Sequence, residues 1–380
     1  MDKCIYSKYC GGCSMQGISY HKQLEMKQEH AENLLKKFGN VEEIIGCKHP
    51  TNYRNKVQVS FGYDDKRCLI CGNYVSSTHM IVPIKECMIV DERANELIDS
   101  VLRIATKYKI SAFDEYSYKG CLRHLLIRTS NLGEVMLVLV TGSFNINKKE
   151  QFIRDILKYN PYVTTIVQNF NNKHTSMILG DKNTVLYGKG YIKDELCGLE
   201  FKISPSSFYQ INRFQTEVLY NTALTLADFK GNETIIDAYC GTGTIGMIAS
   251  KSVKRVLGVE LNSFAIKDAI KNAKYNKIDN IEFVCDDAGH YMENMTKNHL
   301  HLDVLIMDPP RSGASIKFLK SVLRLKPKKI IYISCGIESL RDNLSFLTRD
   351  AYSVKTIQPV DMFPYTSAGH VENIVILERK

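Results

Sequence analysis

The sequence has no uninterrupted run of eighteen apolar residues, which excludes a conventional membrane-spanning helix and a membrane partner for it. Its first residues, MDKCIYSKYCGG, lack the apolar stretch of a secretory signal, so the protein is expected in the cytoplasm. Internal repeats and low-complexity tracts are absent as well, which removes repeat architectures from the candidates. What remains is an ordinary globular composition, 44% hydrophobic and 24% charged, over 380 residues, a length that accommodates two or three domains. The net charge of +9 favours an anionic partner, nucleic acid first. A reducing compartment argues against reading the twelve cysteines as a disulfide framework. Seven of them (Cys4, Cys10, Cys13, Cys47, Cys68, Cys71 and Cys87) fall in the first 90 residues, whereas core packing alone would scatter them.

Along the chain the texture changes twice. A Gly- and Cys-rich opening leads into SYHKQLEMKQEHAENLLKKFG, where Leu24, Met26, Leu34, Leu35 and Phe38 predict an amphipathic helix that Gly39 stops. From about 50 to 200 the segments are short and strand-like. YRNKVQVSFGY alternates Val57, Val59 and Phe61 against Lys56, Gln58 and Ser60, and CLRHLLIRTSNLGEVMLVLVTG reads as a hairpin turning at Asn131 and Gly133. From about 205 apolar strands alternate with helical segments, the signature of a doubly wound, mainly parallel sheet. The expected division is a Cys-rich segment and helix (1–48), a central α+β domain (49–203) and an α/β domain of Rossmann-like class (204–380).

Within the last of these, DAYCGTGTIG sets a Gly-rich turn between a strand and a helix, where Gly241 and Gly243 admit a ligand close to the backbone. Glu260 ends the next strand and suits the two hydroxyls of a ribose, Asp287 ends the third and suits an adenine amino group, and Asp308 ends the fourth. Any one of these acids could be a helix N-cap. Together they point to a nucleoside cofactor without phosphates, S-adenosylmethionine ahead of NAD or ATP. The fifth strand, KKIIYISCG, breaks open at Cys335, where a buried small hydrophobe would be the ordinary use of a thiol. Gly336 beside it is expected to leave room for a flat base.

DAYCGTG, MDPPR, YISCG and DMFPYTSAGHVEN occur in this order, preceded by ISPSSFYQIN and by the opening CIYSKYCGGC. The chain thereby resembles the RNA uridine-5-methyltransferases over nearly its whole length, most densely in residues 204–378. That resemblance implies an S-adenosylmethionine-dependent enzyme making 5-methyluridine in RNA. It places the nucleophile on Cys335 and the base on the Glu of H-x-E, Glu372. It puts the cofactor contacts on Gln210, Tyr239, Thr244, Glu260, Asp287 and Asp308, around the turn of Gly241 and Gly243. The roles fit the chemistry: a thiolate adding to carbon 6 of uracil makes carbon 5 nucleophilic, and a carboxylate then removes the proton of carbon 5. Asp308 is expected to orient or polarise the base. YTSAGHVEN carries about two more residues between FP and H-x-E than many relatives.

Spacing alone leaves the cysteines open. Cys10/Cys13 with Cys68/Cys71 would supply two C-x2-C pairs for zinc, although 54 residues lie between the pairs; Cys4, Cys10, Cys13 and Cys87 would suit an iron–sulfur cluster. The resemblance implies a 4Fe–4S cluster on the second set. Relatives often carry a small β-barrel RNA-binding module ahead of the cysteines that is expected to be missing here, which shifts RNA recognition to the central domain. Arg54, Lys56, Arg123 and Arg128 are the candidates for phosphate contacts there. The resemblance favours 23S ribosomal RNA over the T-loop of transfer RNA, and a monomeric enzyme. Two other classes compete: an amino-group methyltransferase, which leaves Cys335 and Glu372 without a role, and a metal-stabilised RNA-binding protein, in which Cys335 only packs.

Overall fold

The computed structural model describes residues 4–75, 78, 80–298 and 300–380. Backbone contacts group them into two units. One joins the segment ending at Gly17 to His49–Glu195 and Phe201–Ser206; the other joins Ile18–Lys48 to Leu196–Glu200 and Ser207–Lys380. The cysteine-bearing start and the helix after it, expected together as residues 1–48, thus belong to different units. No helix among the described residues is long and apolar enough to cross a membrane.

In chain order, helix α1 (Tyr20–Leu35) precedes strands β1 (Lys56–Tyr63), β2 (Leu69–Tyr74) and β3 (Ile81–Pro83) and helix α2 (Glu92–Lys107). The hairpin β4 (Leu122–Thr129) and β5 (Val135–Thr141) follows, then α3 (Lys149–Tyr159), β6 (Val163–Phe170) and β7 (Lys182–Tyr187). The first unit is one seven-stranded sheet in the order β3-β2-β1-β4-β5-β6-β7. Every pairing in it is antiparallel except β5 with β6, where α3 provides the crossover that parallel neighbours require. Helix α2 packs on β2 and β4, and all residues of β4 and β5 are buried.

After the hairpin β8 (Ile192–Leu196) and β9 (Leu199–Ile203) come α4 (Arg213–Ala227), β10 (Thr234–Ala238), α5 (Thr244–Ala249), β11 (Arg255–Glu260) and α6 (Ser263–Tyr275). The chain continues through β12 (Ile281–Cys285), α7 (Ala288–Lys297), β13 (Val304–Met307), α8 (Ile316–Leu325) and β14 (Lys329–Ser334). It closes with α9 (Ile337–Leu347), β15 (Tyr352–Val360) and β16 (Glu372–Arg379). The sheet order is β12-β11-β10-β13-β14-β16-β15. Its first five strands run parallel, as the alternation of strands and helices predicts, and the order reverses between β10 and β13. Ligands of such sheets bind beyond the carboxyl ends of the strands at that reversal. β16 runs antiparallel between β14 and β15, so its first residue lies at the edge where the parallel strands end.

Helix α1 does not bury the face its apolar residues suggest. The buried stripe is Gln23, Lys27, Ala31 and Leu35, while Leu24, Met26 and Leu34 are half-buried. The polar members of the stripe hold the loop before β16. Lys27 Nζ pairs with Asp361 Oδ1 at 2.6 Å and donates to the Phe363 carbonyl at 2.9 Å, both ionic side chains being fully buried. Tyr20 donates its hydroxyl to Asp361 Oδ2, and Gln23 Oε1 accepts from the Tyr365 N–H. Removing one partner of a buried pair strands the other charge. Lys27→Met is therefore expected to lower stability by about 3–5 kcal/mol in urea unfolding; a loss under about 1 kcal/mol would mean that the pair does not hold this loop.

Candidate functional site

Five strand ends meet along one edge of the second sheet. The residue after β10 is Tyr239, held with φ at 63°, a left-handed conformation rare for a non-glycine and often kept where a site needs it. Gly241 has φ 54°, and a Cβ there would meet nothing within 4 Å, so the turn is open on that side. Gly243, φ 74°, has a different reason to be glycine, because its Cβ would press into the Phe283 ring. Glu260 braces this turn: its Oε2 accepts from the Gly241 N–H at 3.1 Å and its Oε1 from the Asn262 N–H at 2.7 Å. Asp287 is the N-cap of α7, accepting from the His290 N–H, and stays exposed. Thr244 opens α5 with its hydroxyl 3.4 Å from that of buried Tyr220, to which Gln210 also hydrogen-bonds. The expected cofactor residues therefore surround one open turn in this unit. Asp237, fully buried below it, is pushed up to about 8 by burial, although its Oδ2 accepts from the Gly246 N–H.

The register of β14 against β16 pairs Ser334 with Asn373, so the next residues outward, Cys335 and Glu372, face each other at the same edge. Asp308 follows β13, the neighbour of β14 on its other side. Burial raises the carboxyl pKa of both Asp308 and Glu372, and the Asp308 charge raises Glu372 further. Glu372 is 4% exposed, and its Oε2 has no hydrogen-bond partner among the described residues. Cys335 is half-buried, with its thiol pushed up to about 11 by burial and by Glu372 and Asp308, while Arg311 pulls the other way. Arg311 Nη1 lies 3.0 Å from His370 Nε2. Burial and the Arg311 charge hold His370 below its ordinary range, so a neutral ring accepts from the guanidinium. This pairing joins the DPPR turn to H-x-E and has no signature in sequence spacing. Gly336 does not leave room for a base: a Cβ there would lie 2.3 Å from the Arg311 carbonyl oxygen, so the space belongs to the DPPR turn.

In the first unit, Cys4, Cys10, Cys13 and Cys87 line one cavity of about 80 Å³ together with Arg54 and Gln58. Burial pushes the Cys13 thiol up to about 11, and Cys87, Cys10 and Cys4 add to the rise. All twelve cysteines are free, and among the described residues no three His, Cys, Asp or Glu converge closely enough to hold a metal ion. The alternative zinc set fails on strand geometry. Cys71 lies buried on β2 while Cys68 is exposed just before it, and an odd spacing on an extended strand points two side chains to opposite faces.

Two of the four expected RNA-contact residues are interior. Arg123 is 3% exposed; it donates to the carbonyls of Asn171 and Lys173 and pairs with Glu115. Arg128, also 3% exposed, donates to the Pro205 carbonyl, and burial draws its pKa down to about 10. Both are spent on the fold rather than on phosphate. Arg54 and Lys56 are half-buried, and Lys56 is drawn down to about 8 by burial and by the charges of Arg128 and Arg54.

Comparison with known proteins bears on the family and the fold. The family model described as tRNA (uracil-5-)-methyltransferase matches residues 167–380. A protein of Halalkalibacterium halodurans described as an uncharacterized RNA methyltransferase is 40% identical over 99% of this chain and 83% of its own length. One of Clostridium tetani with the same description is 39% identical over 98% and 81%. The crystal structure of Pyrococcus abyssi tRNA (uracil-54, C5)-methyltransferase with S-adenosyl-L-homocysteine superposes with a TM-score of 0.79 at 27% identity, covering 97% of this chain and 86% of that one.

The raised Glu372 carboxyl couples stability to pH. As pH climbs past the ordinary value of 4.5, the unfolded chain ionises while the folded one does not, so stability falls until the raised folded pKa is reached. Glu372→Gln removes this loss. The variant is expected to melt above the wild type near about pH 9, with the difference closing towards about pH 5 in paired thermal melts; a gap that widens on acidification would contradict a raised Glu372.

Proposed function

Because the chain belongs to the tRNA (uracil-5-)-methyltransferase family, and so to the S-adenosylmethionine-dependent RNA methyltransferases, we propose that it methylates carbon 5 of a uridine in RNA with Cys335 as nucleophile and Glu372 as base. The observation that carries the residue roles is the placement of Cys335 opposite Glu372, next to Asp308, at the carboxyl edge of the sheet. An amino-group methyltransferase would have no use for a thiol and an unpartnered buried carboxylate in that corner.

The steps follow from the residues. Cys335 sulfur bonds to carbon 6 of the uracil, and the electrons of the 5,6 double bond move towards the carbonyl oxygen at carbon 4, giving an enolate nucleophilic at carbon 5. The thiol proton passes to the Asp308 carboxylate, whose raised pKa makes it a better acceptor than one in water, so that Glu372 keeps its own accepting oxygen for the later step. S-adenosylmethionine, when bound, supplies the methyl group with its sulfonium as leaving group. Tyr239, Gly241, Gly243, Thr244, Gln210 and Glu260 would hold it, with exposed Asp287 at the adenine end. Glu372 then takes the proton of carbon 5, the double bond reforms, and the bond from carbon 6 to sulfur breaks to release Cys335. Asp308 orients the base edge.

The family resemblance is the support for a 4Fe–4S cluster on Cys4, Cys10, Cys13 and Cys87, soft donors that line one cavity without converging on a common point. Its role would be to fix the N-terminal segment, since the reaction needs no electron transfer. The target is read as 23S ribosomal RNA. The likeness to a tRNA (uracil-54, C5)-methyltransferase supports the T-loop of transfer RNA as a second reading, and mapping 5-methyluridine in both RNAs from a deletion strain separates them.

RNA containing 5-fluorouridine is expected to form, with S-adenosylmethionine, a denaturation-resistant adduct on the wild type and none on Cys335→Ala. An adduct on that variant would remove Cys335 as nucleophile. Glu372→Gln is expected to accumulate adduct on ordinary uridine RNA and to release it roughly 10²–10⁴-fold more slowly. Normal turnover in that variant would assign the base elsewhere. Protein purified without oxygen is expected to contain iron and sulfide; zinc without iron would overturn the cluster.

A further inference from the structure

Outside the sites described above, the first unit presents an exposed aromatic side chain on a rigid mount. Phe144 follows β5 and is 53% exposed. Its ring stacks on that of Phe170, the last residue of β6, with centroids 3.7 Å apart and planes inclined by 14°. Lys182, the first residue of β7, holds its ammonium 5.8 Å from the Phe144 centroid, a cation–π distance. It has no carboxylate partner among the described residues. The loop carrying Phe144 is held from inside by Gln168. This buried amide donates to the hydroxyl of Thr141 and to the carbonyls of Ser143 and Phe144. A second clamp closes within the loop, where the Ser143 hydroxyl accepts from the Asn145 N–H. From Gly142 to Lys149 the segment contains no acid, and Lys148 and Lys149 are exposed.

A surface phenylalanine costs free energy in water, and a buried glutamine spending its amide on two carbonyls of an exposed loop fixes the ring rather than hiding it. One ring face is taken by Phe170. The remaining exposed surface, with an unpaired ammonium beside it, matches a base that stacks and a phosphate that is neutralised. We propose that Phe144, backed by Phe170 and flanked by Lys182, is a stacking platform for an unpaired nucleotide of the RNA substrate other than the target uridine. This rests on the reading of the enzyme as RNA-acting, but not on the roles given to Cys335 and Glu372.

The chain contains no tryptophan, so Phe144→Trp introduces a single indole at the platform. In the full-length protein its fluorescence is expected to be quenched on titration with a single-stranded 20-nucleotide oligouridine, with affinity close to the wild type by anisotropy of the labelled oligomer. Phe144→Ala is expected to weaken that binding roughly 5- to 150-fold. With substrate RNA it should raise KM while leaving kcat at saturating RNA unchanged. Lys182→Gln is expected to lower the slope of log K against log salt by about one. An unquenched indole, or Phe144→Ala binding oligouridine as the wild type does, overturns the platform. The same holds if Phe144→Ala instead abolishes self-association, which would make the face a protein interface. Failure of the Cys335 chemistry shows separately, as a wild type that binds oligouridine yet forms no 5-fluorouridine adduct.

Discussion

The reversal of β16 within an otherwise parallel run is the constraint on which the site depends. Five parallel strands deliver their last residues to one edge, and a strand can bring its first residue to that edge only by running the other way. Glu372 is that first residue. Its neighbours on the edge, Cys335 and Asp308, arrive as strand ends. Two carboxyls and a thiol are thereby placed in a poorly hydrated corner, where burial favours the neutral form of each and any charge on one resists charge on the next.

Such a corner needs its last segment held firmly, because residues 361–371 are a loop between two strands. The holding comes from helix α1, far away in sequence. Lys27, Tyr20 and Gln23 reach Asp361, the Phe363 carbonyl and the Tyr365 N–H, and the segment after α1 bridges to β15 at Ile357 and Val360. That added segment also covers what would otherwise be the free edge of the sheet. On the opposite side of the site, Arg311 ties the DPPR turn to His370. The carboxylate is therefore set by contacts from the start, the middle and the end of the second unit.

The strand ends were legible in the sequence because they combine two signals, an apolar run and a chemically odd residue at its close. Glu260, Asp308 and Cys335 are of this kind, and the family resemblance added Glu372. The buried polar groups were not legible. Lys27 and Gln23 look like solvated positions of an amphipathic helix, since no local pattern tells a lysine that faces a buried aspartate from one that faces water. Arg123 and Arg128 deceive in the same way: on strands their charge suggests phosphate, while their partners are carbonyls distant in sequence and, for Arg123, the carboxylate of Glu115. Gly336 was read as space for a ligand, whereas its missing side chain makes way for the backbone of a turn. Phe144 carried no motif at all. Its exposure is set by β5 and β6 ending where β7 begins, which is a property of strand order.

The raised thiol of Cys335 looks at first like a poor property for a nucleophile, since a thiolate is what reacts. The proton has somewhere to go only if an acceptor of comparable affinity is near. In water a carboxylate and a thiol, at 4.5 and 9.0, are separated by 4.5 units, on the order of 6 kcal/mol against transfer. Burial raises both groups, and the mutual repulsion of Asp308 and Glu372 raises the carboxyl side further, so the mismatch narrows without adding a charge to the corner. Arg311 supplies a favourable charge on the thiolate, and it acts from the rim, where its guanidinium is already anchored to His370. A cationic centre beside the sulfur would stabilise the thiolate more, but would equally lower the carboxyls and weaken them as bases. On the proposed mechanism, the arrangement found here brings the proton affinities of donor and acceptor closer instead, which favours a sequence that moves a proton away from sulfur and later takes one from carbon 5.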